Sequence, residues 1–158
     1  MNKQILITLA FFSTLWGVFA GAEQAPQHKK IQQNKVSVEA PADCALCGMN
    51  RTKFNYSRAI VTFEDGSRTG TCSVNCAHDA VSGNAGKKVR RIQVADYGTK
   101  QLLDAKTAVW VVGGKKSGVM SPVAKWAFAK KKAAEKYVGE FGGRITGFDD
   151  AWKASAGS

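Results

Sequence analysis

Four cysteines and two methionines carry the chemically specific pattern in this chain. Cys44-Ala45-Leu46-Cys47-Gly48-Met49 places two thiols three residues apart in a turn segment, where Gly48 permits a tight backbone. Cys72 and Cys76 come after 24 intervening residues, at i and i+4, a spacing that sets both on one face of the helix expected there. A turn pair facing a helix pair is one way small proteins gather four sulfur ligands around an ion. Disulfides compete for the same atoms, because exported proteins live under oxidising conditions. Pairing Cys72 with Cys76 inside a helix strains the bond, since the two side chains stand parallel a turn apart. Cross-pairing, such as Cys47 with Cys72, stays open. A C-x-x-C pair also serves thiol oxidoreductases, but there it opens a helix after a strand, a context missing around Cys44.

The methionines bear on which ion is meant. Of three Met one is the initiator, which leaves Met49, two residues after Cys47, and Met120 in the turn Gly118-Val119-Met120-Ser121-Pro122. Filling gaps in a core is the commoner fate of Met. Here both lie in loops, one beside a Cys pair. Thiolate with thioether is a soft set that selects Cu(I) over hard cations, whereas zinc accepts thiolates but seldom thioethers. The candidate ligands are therefore Cys44, Cys47, Met49, Cys72, Cys76 and Met120, with Cu(I) as the ion and Zn as the alternative. His78 falls roughly 200° around the helix from Cys76 and reads as a surface or lightly packed residue. His28 reads as solvated. No Ser-His-Asp arrangement or phosphate-cradling glycine loop marks an enzyme, and no catalytic residue is assigned.

The elements that must position these sulfurs are legible in outline. With 158 residues, 44% of them hydrophobic and only 4 Cys, the chain is neither disordered nor a disulfide-dense scaffold. Met1-Asn2-Lys3 and the apolar run Ile5 to Ala20, closing on Ala20-Gly21-Ala22, read as a secretory signal peptide over residues 1–22. The run is shorter than the ~20 residues of a spanning helix, so no stable membrane insertion is expected after cleavage. Residues 23–40, rich in Gln, Lys and Ala, read as a flexible tether, which leaves residues 41–158 to fold.

Within those residues one topology occurs twice. A strand from Ser57 to Phe63, an Asp65-Gly66 hairpin turn and a strand over 68–71 lead into a short helix over Cys72 to Val81, then a strand over Val89 to Val94. After a join near Asp96 to Lys106 come a buried-type strand Ala108 to Val112 and a partner over Val123 to Ala127. A helix then presents Ala129, Ala133, Ala134, Tyr137, Val138 and Phe141 on one face, and a strand follows over Arg144 to Phe148. Asp149 is expected to cap a terminal helix. The fold class is α+β, two tandem β-β-α-β units over 41–96 and 105–158.

Cys44-Ala45-Leu46-Cys47-Gly48-Met49 resembles the C-x-x-C-G-M motif of NosL-like proteins, copper-binding accessory proteins of nitrous-oxide reductase. The resemblance continues through Phe63-Glu64-Asp65-Gly66, Val94-Ala95-Asp96-Tyr97, the stretch Asp104 to Gly114, the Met120 turn, Ala127-Phe128-Ala129, Phe141-Gly142-Gly143-Arg144 and Phe148-Asp149. It implies a monomeric periplasmic protein of two β-β-α-β units that binds Cu(I) and passes it to a copper-dependent enzyme or a membrane-bound copper-assembly factor. Carried over by position, Cys47 and Met49 are the leading ligands and Met120 the next. Two features depart from the family: no lipid-acceptor Cys stands at the signal site, and Cys72 with Cys76 is an extra pair. The metal-binding role therefore transfers better than the client enzyme.

The formal charge of +11 would suit a nucleic-acid binder. Export removes that partner, and the cations are scattered without aromatic interleaving. Lys115 and Lys116, just before Met120, are placed to steer an acidic client.

Overall fold

The computed structural model describes Glu39 and residues 41–156. The expected signal peptide and all of the expected tether except Glu39 lie outside the described residues.

A hairpin opens the fold. Strand β1 (Ala59–Phe63) pairs with β2 (Arg68–Thr71) from Ala59↔Thr71 to Thr62↔Arg68. The turn between them puts Gly66 at φ +83°, a left-handed conformation that glycine adopts without a Cβ clash. Helix α1 (Val74–Ser82) follows, and β3 (Val89–Ala95) pairs antiparallel with the other edge of β1. The join then contributes a strand of its own, β4 (Leu102–Asp104), which pairs with β3 and completes a sheet of order β2-β1-β3-β4. Three residues are too few to show a period, so only the partner strand defines it.

The second unit runs β5 (Val109–Val112), β6 (Lys125–Phe128), α2 (Lys131–Phe141) and β7 (Arg144–Thr146), in a sheet of order β6-β5-β7. Helix α3 (Phe148–Lys153) ends the fold, which is α+β. Several boundaries differ from the sequence pattern. Val123 stays on a turn, 43% exposed, and β6 starts at Lys125. Ala129 precedes α2 because its N–H is taken by the Asp96 carboxylate at 2.8 Å. Ala133 is exposed, so the helix buries a narrower stripe of Ala134 and Tyr137, flanked by Val138 and Phe141. Phe148 belongs to α3, whose N-cap is Gly147, and Asp149 sits inside the first turn rather than capping it. Among the described residues no helix is long and apolar enough to cross a membrane.

Alternation along the second sheet divides the interior into two cores. Trp110 and Ala127 face a core shared with Val61, Phe63, Val94, Ala77 and Ala151. Val111, Trp126 and Phe128 face the other side, where Tyr137, Ala134 and three of the cysteines lie. Asp96, 4% exposed, joins the sheets: its carboxylate accepts from Thr99 N–H and Oγ1 and from Ala129 N–H, while Tyr97 N–H donates to Ala127 O at 2.8 Å.

Candidate metal centre

The C-x-x-C-G-M segment is a closed loop. Cys44 N–H donates to Met49 O at 2.8 Å, Gly48 N–H donates to Cys44 O at 2.9 Å, and Asp43 bridges Asn50 beyond them. Closing so short a loop puts Gly48 at φ +73°. Ala45 N–H then donates to Gly70 O at 3.0 Å, which docks the loop on the end of β2. Cys72 lies one residue beyond β2, held by Ser57 Oγ on its carbonyl at 2.7 Å.

Cys72 is not in the helix, which corrects the i, i+4 reading. Ser73, with extended backbone at φ −155° and ψ 167°, is the N-cap of α1, and its Oγ accepts from Cys76 N–H at 3.3 Å. The two sulfurs nevertheless meet, because Cys72 approaches from the strand end while Cys76 points out of the first helical turn.

All four Sγ atoms lie within 4.8 Å of one another, and all four cysteines are free. Cys47 to Cys72 is 3.5 Å, Cys72 to Cys76 3.7 Å and Cys76 to Cys47 3.8 Å. An ion with metal–sulfur bonds of about 2.3 Å in a tetrahedron separates its sulfurs by about 3.8 Å, so the thiols stand at ligand spacing. A fifth sulfur joins them: Met49 Sδ is 3.9 Å from Cys72 Sγ. Cys44, Cys72 and Cys76 are buried and Cys47 is exposed.

The thiols do not ionise alike. Hydrogen bonding from Cys72, helped by Cys47 and the Ser73 hydroxyl, draws Cys76 down to about 6 against the opposing effect of burial. Cys72, giving its proton to that bond and buried, is pushed up. Cys47 is also raised, chiefly by loss of solvent around its sulfur. Cys76 is thus the first thiolate, at the N-terminal turn of a helix whose free N–H groups favour an anion.

The profile of the NosL family matches residues 35–156. The chain belongs to the NosL family. Its fold is similar to that in the crystal structure of the copper chaperone NosL from Shewanella denitrificans, with a TM-score of 0.58 at 20% identity, over 72% of this chain and 92% of that one. No curated protein matches the chain at a significant level.

Of the six sulfurs singled out in this NosL-family sequence, the structure gathers Cys44, Cys47, Cys72, Cys76 and Met49. Met120 is not brought in. It lies on its turn at φ +59°, 46% exposed, with its carbonyl accepting from Asn75 Nδ2 at 3.5 Å, one residue before Cys76. His78 packs against Trp152, the two rings tilted at 52° with centroids 5.0 Å apart. Lys116, expected to steer a client, lies over the Phe141 ring at 3.8 Å and donates to Tyr97 Oη at 3.2 Å.

Sequence reading missed the supports. Arg51, fully buried, donates to Thr71 O at 3.2 Å and fills the space where a Cβ on Gly70 would stand, 2.8 Å from its Cζ. Trp126, Tyr137 and Phe128 share one buried core with Cys44, Cys72 and Cys76, so the thiols pack on the side of the second unit. The sequence pattern puts Ser73 inside a helix starting at Cys72; a Ser directly ahead of the helical pattern is the signal that could have marked it as the cap.

Proposed function

We propose that this chain is an extracytoplasmic Cu(I)-binding accessory protein, not an enzyme, which holds the ion on its clustered sulfurs and delivers it to a copper-dependent protein. The observation that carries the reading is the gathering of four free thiols and one thioether, a soft ligand set, at ligand spacing. The NosL family membership supports copper as the cargo. Cys44, Cys72 and Cys76 form the buried side of the site, Cys47 and Met49 the outer side, and exposed Met120 is a sulfur available for hand-over. Export through the 1–22 signal peptide to the periplasm as a monomer belongs to the same proposal, with nitrous-oxide reductase or a membrane-bound copper-assembly factor as recipient.

Cu(I) titration of the reduced protein against a competing Cu(I) chelator tests the reading. One ion is expected to bind tightly, and Cys47→Ser/Met49→Ala is expected to weaken it severely. Equal affinity in the two proteins refutes it. A second reading rests on the sulfur spacing itself: four thiols within 4.8 Å of one another suit a structural Zn(II) site in an interaction module that transfers no metal. A zinc ion that survives competition with Cu(I) favours that alternative.

A further inference from the structure

The centre has more sulfur than one Cu(I) ion requires. Five sulfur atoms converge, and they differ in access and in freedom to move. Cys47 is the exposed thiol, on a loop whose next residue, Gly48, has φ +73°. Cys72 Sγ stands 3.5 Å from it, the shortest of the thiol distances given above. Cys72 is outside α1, with extended backbone at Ser73 after it, so a bond between these two sulfurs leaves the helix intact. Closing from 3.5 Å to the ~2.05 Å of a disulfide is within reach of side-chain rotation and a small loop shift. Cys44 and Cys76 are buried, and Met49 packs against the same core, its Sδ 3.9 Å from Cys72 Sγ.

Resting on the reading that the centre holds Cu(I), we propose that Cys47 and Cys72 are a built-in electron donor that reduces incoming Cu(II) to the ion the centre keeps. Two thiols and two Cu(II) ions give one Cys47–Cys72 disulfide, two Cu(I) ions and two protons. The oxidant is the copper itself, so no further co-reactant enters. Each sulfur gives up one electron and its proton goes to solvent. The new S–S bond removes Cys47 and Cys72 as thiolate ligands and leaves Cys44, Cys76 and Met49 for one Cu(I), while the second ion departs. The event is stoichiometric, once per reduced chain. It matches an oxidising compartment, where copper arrives oxidised and a chaperone selective for Cu(I) must first reduce it.

The reduced full chain is mixed anaerobically with copper(II) sulfate and a chromogenic Cu(I) chelator. Loss of the Cu(II) electron paramagnetic resonance signal, Cu(I) yield, thiol count and disulfide mapping are followed together. The expected result is a rapid phase that silences the signal and consumes two of the four thiols, with Cys47 and Cys72 linked in the peptide map. Cys72→Ser loses the rapid phase while its circular dichroism spectrum shows the fold retained. A persistent Cu(II) signal, a Cys44–Cys47 disulfide, or an undiminished rapid phase in Cys72→Ser overturns the proposal. Direct Cu(I) titration of the reduced protein separates the two claims. Tight Cu(I) binding without Cu(II) reduction removes the donor role alone, whereas absence of Cu(I) binding removes the centre.

Discussion

Glu39 neutralises part of a charge that water does not reach. Arg51 and Arg58 are 0% and 1% exposed, and both turn to this one carboxylate. Arg58 grips it through Nε at 3.0 Å and Nη2 at 2.8 Å, with Nη1 on the carbonyls of Asn55 and Lys100. Arg51 uses its remaining N–H groups on main-chain carbonyls, Glu39 O and Pro41 O among them. Removing the carboxylate leaves two buried guanidinium groups with no counter-charge. Glu39→Gln is therefore expected to lower the unfolding free energy by about 3 kcal/mol, the low end of the range for a broken buried pair because the carboxylate is partly exposed. The pH dependence has a definite sign. Burial raises the Glu39 pKa, but the Arg58 hydrogen bonds and the charges of Arg58 and Arg51 outweigh it and hold the group below its ordinary value. Its contribution is thus complete above about pH 4.3 and fades as pH falls through the lowered folded value. Urea unfolding at pH 7 and at acid pH checks this, since the Gln variant lacks that part of the acid loss. At this scale the sequence was informative where spacing is local, as in C-x-x-C-G-M. It was silent on the arginines, whose partner stands 12 and 19 residues away.

At the scale of elements, helix α1 matters because its first turn aims Cys76. Ser73 both ends the strand-like approach of Cys72 and caps the helix, so one residue sets how two candidate ligands approach each other. Ser73→Ala is expected to cost about 1 kcal/mol of stability, the usual loss of an N-cap. It should also weaken Cu(I) binding less than Cys76→Ser does, with Ser73→Thr restoring both. Chelator competition and urea unfolding on the same samples measure the pair of effects. Helices and longer strands were readable because their patterns repeat within the element: β1, β5 and α2 each carry one. The i, i+4 spacing of Cys72 and Cys76 misled, because it is shared by a helix and by a strand end capped into a helix. Strand β4 and the start of β6 are set by pairing partners, Val94↔Leu103 and Val112↔Lys125, which a local pattern does not contain. Met120 was singled out for its turn, and the turn is real, but the side chain faces outward.

At the scale of the molecule, the centre draws on both sheets. Its candidate ligands come from the first unit, and Trp126 and Tyr137, packed in the same core, come from the second. Asp96 and Tyr97 hold the two together through Ala127 and Ala129. An ion that binds four cysteines from separate segments of the folded chain has no equivalent site in the unfolded one, so binding free energy adds to folding free energy. With free Cu(I) at about 1,000 times the dissociation constant, the folded state gains about 4 kcal/mol. For a domain of this size that corresponds to a rise in Tm of about 15 °C. Calorimetry of the reduced protein with and without Cu(I), then after addition of a stronger chelator, reads the shift and its reversal. The mechanism also fixes how variants behave. Cys76→Ser should lose most of the shift while keeping most of its metal-free Tm, because its thiol supplies a ligand more than it supplies packing. Glu39→Gln should lower both Tm values and keep the shift between them, because the Glu39 carboxylate bonds the two arginines and not a cysteine. A shift that disappears in Glu39→Gln would mean that the clamp is part of the centre.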